Sequence, residues 1–202
     1  MKYKDFAEID IDVPMGVSSP GYDTFLVAKN TKKLSFKRAL DVGTGTGFIA
    51  IYLTKCGLKC DGSDITTTAI QCAKNNAKKN SCDVDFFVSN LFGNIPHQYD
   101  LIIFNVPLGD SSSKFFSKIL ENFKSLLPRE SKFLYILAYS LFAKKRRQKL
   151  LSKFFSDSKK HLTNNGKIII NLHKHEMSFL KGCSYKILDE YYDELAKIVL
   201  IN

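Results

Sequence analysis

An α/β fold, a mostly parallel sheet with helices on both faces and a C-terminal antiparallel hairpin, is predicted by three observations. Short apolar runs in the first half are separated by helical stretches, the pattern of a doubly wound sheet. Residues 39–53, ALDVGTGTGFIAIYL, carry one such run into an acid, through three alternate glycines, and back into helical character. Four runs each end in polar residues, which gathers polar groups on one rim, the expected ligand side of an open α/β sheet.

The first strand ends around Asp41 and feeds a turn through Gly43, Thr44, Gly45 and Gly47. Such glycines let the main chain bend sharply and approach a ligand where a Cβ would collide. The helix behind them presents unpaired amides and the positive end of its dipole to a carboxylate or phosphate. The turn therefore reads as a cofactor cradle. A dinucleotide fingerprint needs a third glycine where Phe48 stands, and a phosphate loop needs a lysine that does not follow Gly47. A nucleotide-dependent oxidoreductase is accordingly disfavoured.

Lys59 to Asp64 reads as a second strand, and Asp64 stands at its tip, where such sheets hold a ribose diol. The helix that follows places Ile65, Ala69, Ile70, Cys72 and Ala73 on one face, with Thr66, Thr67 and Thr68 suited to its cap and first turn. A third strand, Val84 to Val88, runs into Ser89-Asn90-Leu91-Phe92. A fourth, Asp100 to Phe104, runs into Asn105-Val106-Pro107-Leu108.

In the second half, Ser111 to Leu127 reads as an amphipathic helix ended by Pro128, its aromatics taken as core. KFLYILAYS, Lys132 to Ser140, reads as a buried strand, with a helix as the alternative. Ala143 to Leu162 is a basic helix with Leu150, Leu151, Phe154 and Phe155 as its apolar stripe. Lys144, Lys145, Arg146, Arg147 and Lys149 fall in its first turns, against the dipole, which suits an anionic partner; a solvated charge run is the plainer reading. Asn164-Asn165-Gly166 reads as a turn before the strand Lys167 to Leu172. His173 and His175 share a side if still extended, but two imidazoles without a third ligand make a poor metal site, and no metal is expected. Tyr185 to Tyr191 and Ala196 to Ile201 are strands joined by a short acidic loop.

At 202 residues the chain reads as one domain. A formal net charge of +10 suits RNA or the ribosome as partner, although lysine far outnumbers arginine, a mixture that a genome rich in A and T also produces. The five cysteines (Cys56, Cys60, Cys72, Cys82, Cys183) are scattered and lack a CxxC pair, as expected of reduced thiols. The opening MKYKDFAEID is polar and charged, and the apolar run Phe133 to Ala143 is too short to span a bilayer. A cytoplasmic, monomeric protein without a membrane partner is the expectation.

These motifs together resemble the class I S-adenosylmethionine-dependent methyltransferases, and within them the HemK-like, small-domain group of N-methyltransferases. The family's E/D-x-G-x-G-x-G matches Asp41 to Gly47, and its ribose acid with the following helix pattern matches Asp64, Ile65, Ala69, Ala73 and Asn76. Its adenine-edge pair corresponds to Asn90 and Leu91, with asparagine in place of the usual acid. Its catalytic Asn-Pro-Pro-Tyr corresponds to Asn105, Val106, Pro107 and Leu108. VSSPGYDTFLV, Val17 to Val27, resembles the segment that closes over the cofactor.

The resemblance implies a Rossmann-like methyltransferase fold: an N-terminal segment 1–36, a cofactor-binding half 37–108, a substrate-side half 109–202, and a closing antiparallel hairpin. It implies S-adenosyl-L-methionine held by Thr24, Asp41, Gly43, Thr44, Gly45, Gly47, Asp64, Ile65, Asn90 and Leu91. Asn105 and the Val106 carbonyl would hold the target nitrogen, with Pro107 keeping the turn stiff. Leu108 stands where an aromatic would stack on a planar target, and Tyr22 and Phe104 are candidates to replace it. The implied reaction methylates an amino group of an rRNA or tRNA base. A protein glutamine amide, as in a release factor, is the alternative, and a binding module without turnover is a third reading. The family has one strand between Asn105 and the final pair, whereas two candidates are present here. Either Phe133 to Tyr139 adds a unit, or the segment between Gly109 and Leu141 is an insertion.

Overall fold

The computed structural model of the chain describes Phe6 and residues 9–106, 129–191 and 196–202, and over 129–143 only the backbone. Pro107, Leu108, the expected helix Ser111 to Leu127 and the acidic loop after Tyr191 lie outside the described residues. The chain divides into two compact units: Met1–Val106 with Asp157–Asn202, and Pro107–Ser156.

The larger unit is built on seven strands: β1 (Ala39–Val42), β2 (Cys60–Asp64), β3 (Phe86–Val88), β4 (Tyr99–Phe104), β5 (Leu162–His173), β6 (Tyr185–Tyr191) and β7 (Ala196–Ile201). Their order in the sheet is β3-β2-β1-β4-β5-β7-β6. The first five strands are parallel, and β7 runs antiparallel to both β5 and β6. The mostly parallel α/β sheet with its closing antiparallel strands is thus the predicted class. Leu40, Ile102, Ile103, Ile169 and Ile170 are fully buried, which explains why these strands read as continuous apolar runs without alternation. Chain order reverses between β1 and β4, which pair Val42 with Phe104. Ligands of open α/β sheets bind beyond the carboxyl ends of strands at such a switch point.

Three helices flank this sheet in sequence: α1 (Tyr22–Lys32), α2 (Phe48–Lys55) and α3 (Thr67–Lys79). Thr66 caps α3, its hydroxyl accepting from the Ala69 amide at 3.2 Å. Leu26, Val27 and Ala28 are buried on α1, and Phe6, Phe25, Phe48 and Tyr52 form an aromatic cluster between α1 and α2. An N-terminal strap is tied to α3 by two asparagines one turn apart. Asn80 exchanges two hydrogen bonds with the Asp10 main chain, and Asn76 does the same with Asp12. At the opposite end of the sheet the buried Asp61 accepts from the Tyr99 hydroxyl and pairs with Arg38.

The structure departs from three expectations. Lys132 to Ser140 is not a strand: it lies inside a thirty-residue helix, α4 (Arg129–Ser158), most of which belongs to the smaller unit. Its Leu, Ala and Lys content favours helix, and no turn residue separates it from the basic stretch that follows. Among the described residues, β5 alone therefore stands between Asn105 and the final pair, the number of strands the family pattern has there. The basic cluster Lys144–Lys149 consequently sits mid-helix, and the argument from an unfavourable helix terminus lapses. Asn164-Asn165-Gly166 is not a turn but a bulge in β5: between two paired positions β4 advances from Tyr99 to Leu101 while β5 advances from Leu162 to Lys167. A Cβ at Gly166 would come within 2.9 Å of the Tyr99 carbonyl oxygen.

Candidate active site

The glycine turn follows β1 directly. Gly43, Gly45 and Gly47 all have positive φ, at 72°, 55° and 81°, a region that side chains disfavour. Gly47 also packs against α3, where an added Cβ would lie 3.0 Å from the Ala73 Cβ and 3.2 Å from the Phe86 ring. Asn76, buried on α3, donates to the Thr46 carbonyl at 2.9 Å, so the helix that holds the strap also holds the turn.

Asp41 is 1 % exposed, and its Oδ2 accepts from the Thr44 hydroxyl at 2.7 Å. Its Oδ1 is buried with no hydrogen-bond partner among the described residues. Burial pushes this carboxyl up to about 7, the Thr44 hydrogen bond opposing and the neighbouring Asp64 charge adding to the rise. A buried carboxylate oxygen without a donor is costly, and a cationic or N–H-bearing ligand group could satisfy it.

Asp64, at the tip of β2, is bonded on both oxygens. Oδ2 accepts from the Gly45 amide at 3.1 Å, and Oδ1 accepts from the Thr66 amide at 3.0 Å and its hydroxyl at 3.2 Å. Oδ2 keeps capacity to accept again, while both lone pairs of Oδ1 are engaged by Thr66. Ile65 was expected on the buried face of α3, but it precedes the cap and is 62 % exposed beside Asp64. At the β3 tip the Asn90 side chain is exposed, while Leu91 is buried in a left-handed conformation with φ 55°. Ser89 fixes that bend, donating to the Leu91 carbonyl at 2.9 Å.

Asn105 leaves the β4 tip half-buried and is held from two sides. Its Nδ2 donates to Thr24 Oγ1 at 3.0 Å, and its Oδ1 accepts from Asn171 Nδ2 at 2.6 Å. Thr24, in the first turn of α1, also accepts from the Gly21 amide at 3.2 Å. Val106 is fully buried and donates its amide to Asn171 Oδ1 at 2.7 Å. Asn171, from β5, was not anticipated. The clue was available, because a lone asparagine interrupts the apolar run KIIINL, and a buried polar residue is the informative exception. Of the two aromatics considered as substitutes for Leu108, Phe104 is buried and Tyr22 is 41 % exposed, edge-on to Tyr191 at 6.3 Å.

His173 and His175 stack with ring centroids 5.4 Å apart, and no group of three metal-ligating side chains occurs among the described residues. Within those residues, no helix is long and apolar enough to cross a membrane.

Comparison with known proteins follows the same lines. A Methanocaldococcus jannaschii protein provisionally named an N5-glutamine methyltransferase is 41 % identical over 92 residues, 45 % of this chain and 47 % of that protein. The chain therefore spans about half the length of that relative. The release factor glutamine methyltransferase of Lactococcus lactis is 26 % identical over 97 % of this chain and 69 % of its own. The structure of a ribosomal protein L11 methylase from Lactobacillus delbrueckii superposes with a TM-score of 0.64 at 18 % identity, covering 95 % of this chain and 84 % of that one. The methyltransferase small domain model matches residues 21–141, more than half of the chain. With the glycine turn, the acid of β2 and the asparagine of β4 on one rim, the chain belongs to the methyltransferase small domain family.

Proposed function

We propose that this chain is an S-adenosylmethionine-dependent methyltransferase acting on an NH2 nitrogen. The observation that carries the reading is Asn105, a half-buried amide held from both sides at the rim that the glycine turn shares. The residues present suit the cofactor. Gly43 and Gly45 leave room for close approach of its methionine part, and the orphaned Asp41 oxygen suits its ammonium group. Asp64 Oδ2 has a free site for one ribose hydroxyl, Oδ1 can take the second in place of the Thr66 hydroxyl, and Thr24 retains its hydroxyl proton to give. The exposed Ile65 and the Asn90-Leu91 bend would border the purine, where Asn90 offers a carbonyl acceptor.

An amide or exocyclic amino nitrogen is a poor nucleophile because its lone pair is delocalised. The Asn105 side-chain oxygen and the Val106 carbonyl can each accept one of its two protons, which fixes the nitrogen and aims its lone pair. When bound, S-adenosylmethionine would supply an electrophilic sulfonium methyl group to that nitrogen, with S-adenosylhomocysteine as the leaving group and water taking the displaced proton. The protein's contribution is orientation of two reactants more than acid–base work.

A protein carboxamide is the first substrate reading, supported by the glutamine methyltransferases among the relatives and by the Asp23-Thr24-Phe25-Leu26 segment. The net charge of +10 favours the second, an RNA base amino group on rRNA or tRNA. Incubation with tritiated S-adenosylmethionine and cell lysate separates them. Label that survives ribonuclease and is lost to protease identifies protein, and the reverse identifies RNA. Asn105→Ala should lower transfer by about a hundredfold or more, while affinity for S-adenosylhomocysteine, read by calorimetry, stays within about threefold. Absence of heat with either cofactor form sinks the proposal.

A further inference from the structure

Asn171 is fully buried in β5, paired in the sheet with Ile198 of β7, and cannot reach a substrate from there. Its side chain faces Asn105 and Val106 in opposite senses: Oδ1 accepts from the Val106 amide at 2.7 Å, and Nδ2 donates to Asn105 Oδ1 at 2.6 Å. Nδ2 also donates to the Tyr191 hydroxyl at 3.3 Å. At the other end of the row, Asn105 Nδ2 donates to Thr24 Oγ1, which also accepts from the Gly21 amide.

The sense of this row is set at its Val106 end. A backbone N–H can only donate. The Val106 amide therefore holds the oxygen of Asn171, so the Asn171 NH2 must face Asn105. Asn105 answers with its oxygen, which sends its own NH2 to Thr24. Thr24 accepts it alongside the Gly21 amide, and its hydroxyl, able to donate as well, follows the sense set at Val106. Turning either side-chain amide over would set donor against donor in a buried place, at a cost comparable to stranding a polar group.

We propose that Asn171 is the positioning residue of the transfer site. It decides which end of the Asn105 amide is the acceptor, and through the Val106 N–H it anchors the residue whose carbonyl is the second acceptor. The inference rests on the reading that Asn105 holds the target NH2. It also explains why the buried strand tolerates a polar side chain: the residue serves a neighbour, not the core.

Asn171→Asp is the discriminating variant, because it keeps the shape and the acceptor for Val106 while replacing the donor by a second acceptor. With that carboxyl ionised, the Asn105 amide turns over and offers N–H where the substrate needs an oxygen. Transfer from tritiated S-adenosylmethionine, with a lysate fraction that the wild type labels, should fall at least thirtyfold in kcat at pH 8, with KM and S-adenosylhomocysteine affinity within threefold. As pH is lowered the carboxyl regains its proton and can donate again, so activity relative to wild type should climb. Asn171→Ala should be impaired with no such climb. A second readout needs neither turnover nor cofactor. In wild-type spectra the Asn105 side-chain NH2 protons should show nuclear Overhauser contacts to the Thr24 methyl, and in Asn171→Asp at pH 8 they should lose them. Wild-type contacts to β5 instead, or equal losses in both variants at every pH, overturn the proposal. A wild type that neither binds S-adenosylhomocysteine nor transfers label refutes the function reading instead, a result distinct from either.

Discussion

Asp41 shows how one side chain can link stability to ligand binding. Its carboxyl is pushed up to about 7 chiefly by burial, well above its value in an unfolded chain. The folded state then holds more protons than the unfolded state between about pH 4 and pH 7, so this group makes stability fall as pH rises through that window. Asn at position 41 cannot titrate. The stability of the wild type relative to Asp41→Asn should therefore drop by about 2–3 kcal/mol from pH 5 to pH 8, as read from urea midpoints; an unchanged difference would refute the shifted carboxyl. An ammonium group beside Asp41 would favour the ionised form. Binding of S-adenosylmethionine near pH 6.5 should then release a fraction of a proton, seen as a dependence of the calorimetric heat on buffer ionisation enthalpy and absent in Asp41→Asn. The acid itself was legible from its place before the glycines; its unpartnered oxygen was not, because that depends on how Thr44 turns.

Elements were legible where a local rule and the sheet agree. The β1 strand, the glycine turn and the Thr66 cap of α3 each carry a signal within a few residues, and the structure has them where the residues put them. Legibility failed where the deciding contact is remote. KFLYILAYS has the composition of either a strand or a helix, and Asn164-Asn165-Gly166 becomes a bulge only because the Tyr99 backbone lies against it. Asn171 stood in plain view, but its partners Asn105 and Val106 follow β4 and Tyr191 closes β6, distant from it in sequence. At this scale Gly47 is the sensitive joint. Gly47→Ala combines a positive φ with a Cβ pressed onto Ala73, so a loss of about 2–4 kcal/mol in urea unfolding is expected. Asn76→Ala should cost a similar amount, since it frees the strap and the Thr46 carbonyl together. Limited proteolysis should then cut the segment before Gly16 faster than in wild type.

For the whole molecule, excess positive charge is the property most open to test. With 30 basic against 20 acidic residues, a polyanion should bind with a strong salt dependence. Affinity for a poly(U) probe should fall at least tenfold between about 50 and 200 mM salt if phosphates are contacted at several points, and a flat response would mark the charge as ordinary solvated surface. The sheet order has a different consequence, for the timing of synthesis. β7 is the last strand in chain order yet lies between β5 and β6. While a nascent chain is still being extended, β5 has one edge bare and β6 has no neighbour, so the amide row through Asn171 lacks its Tyr191 flank and its register partner Ile198. Vectorial emergence from the ribosome thus leaves the half that carries Asn105 waiting on β7, and a product stalled or clipped before β7 would display an open β edge, a natural handle for chaperone capture or degradation.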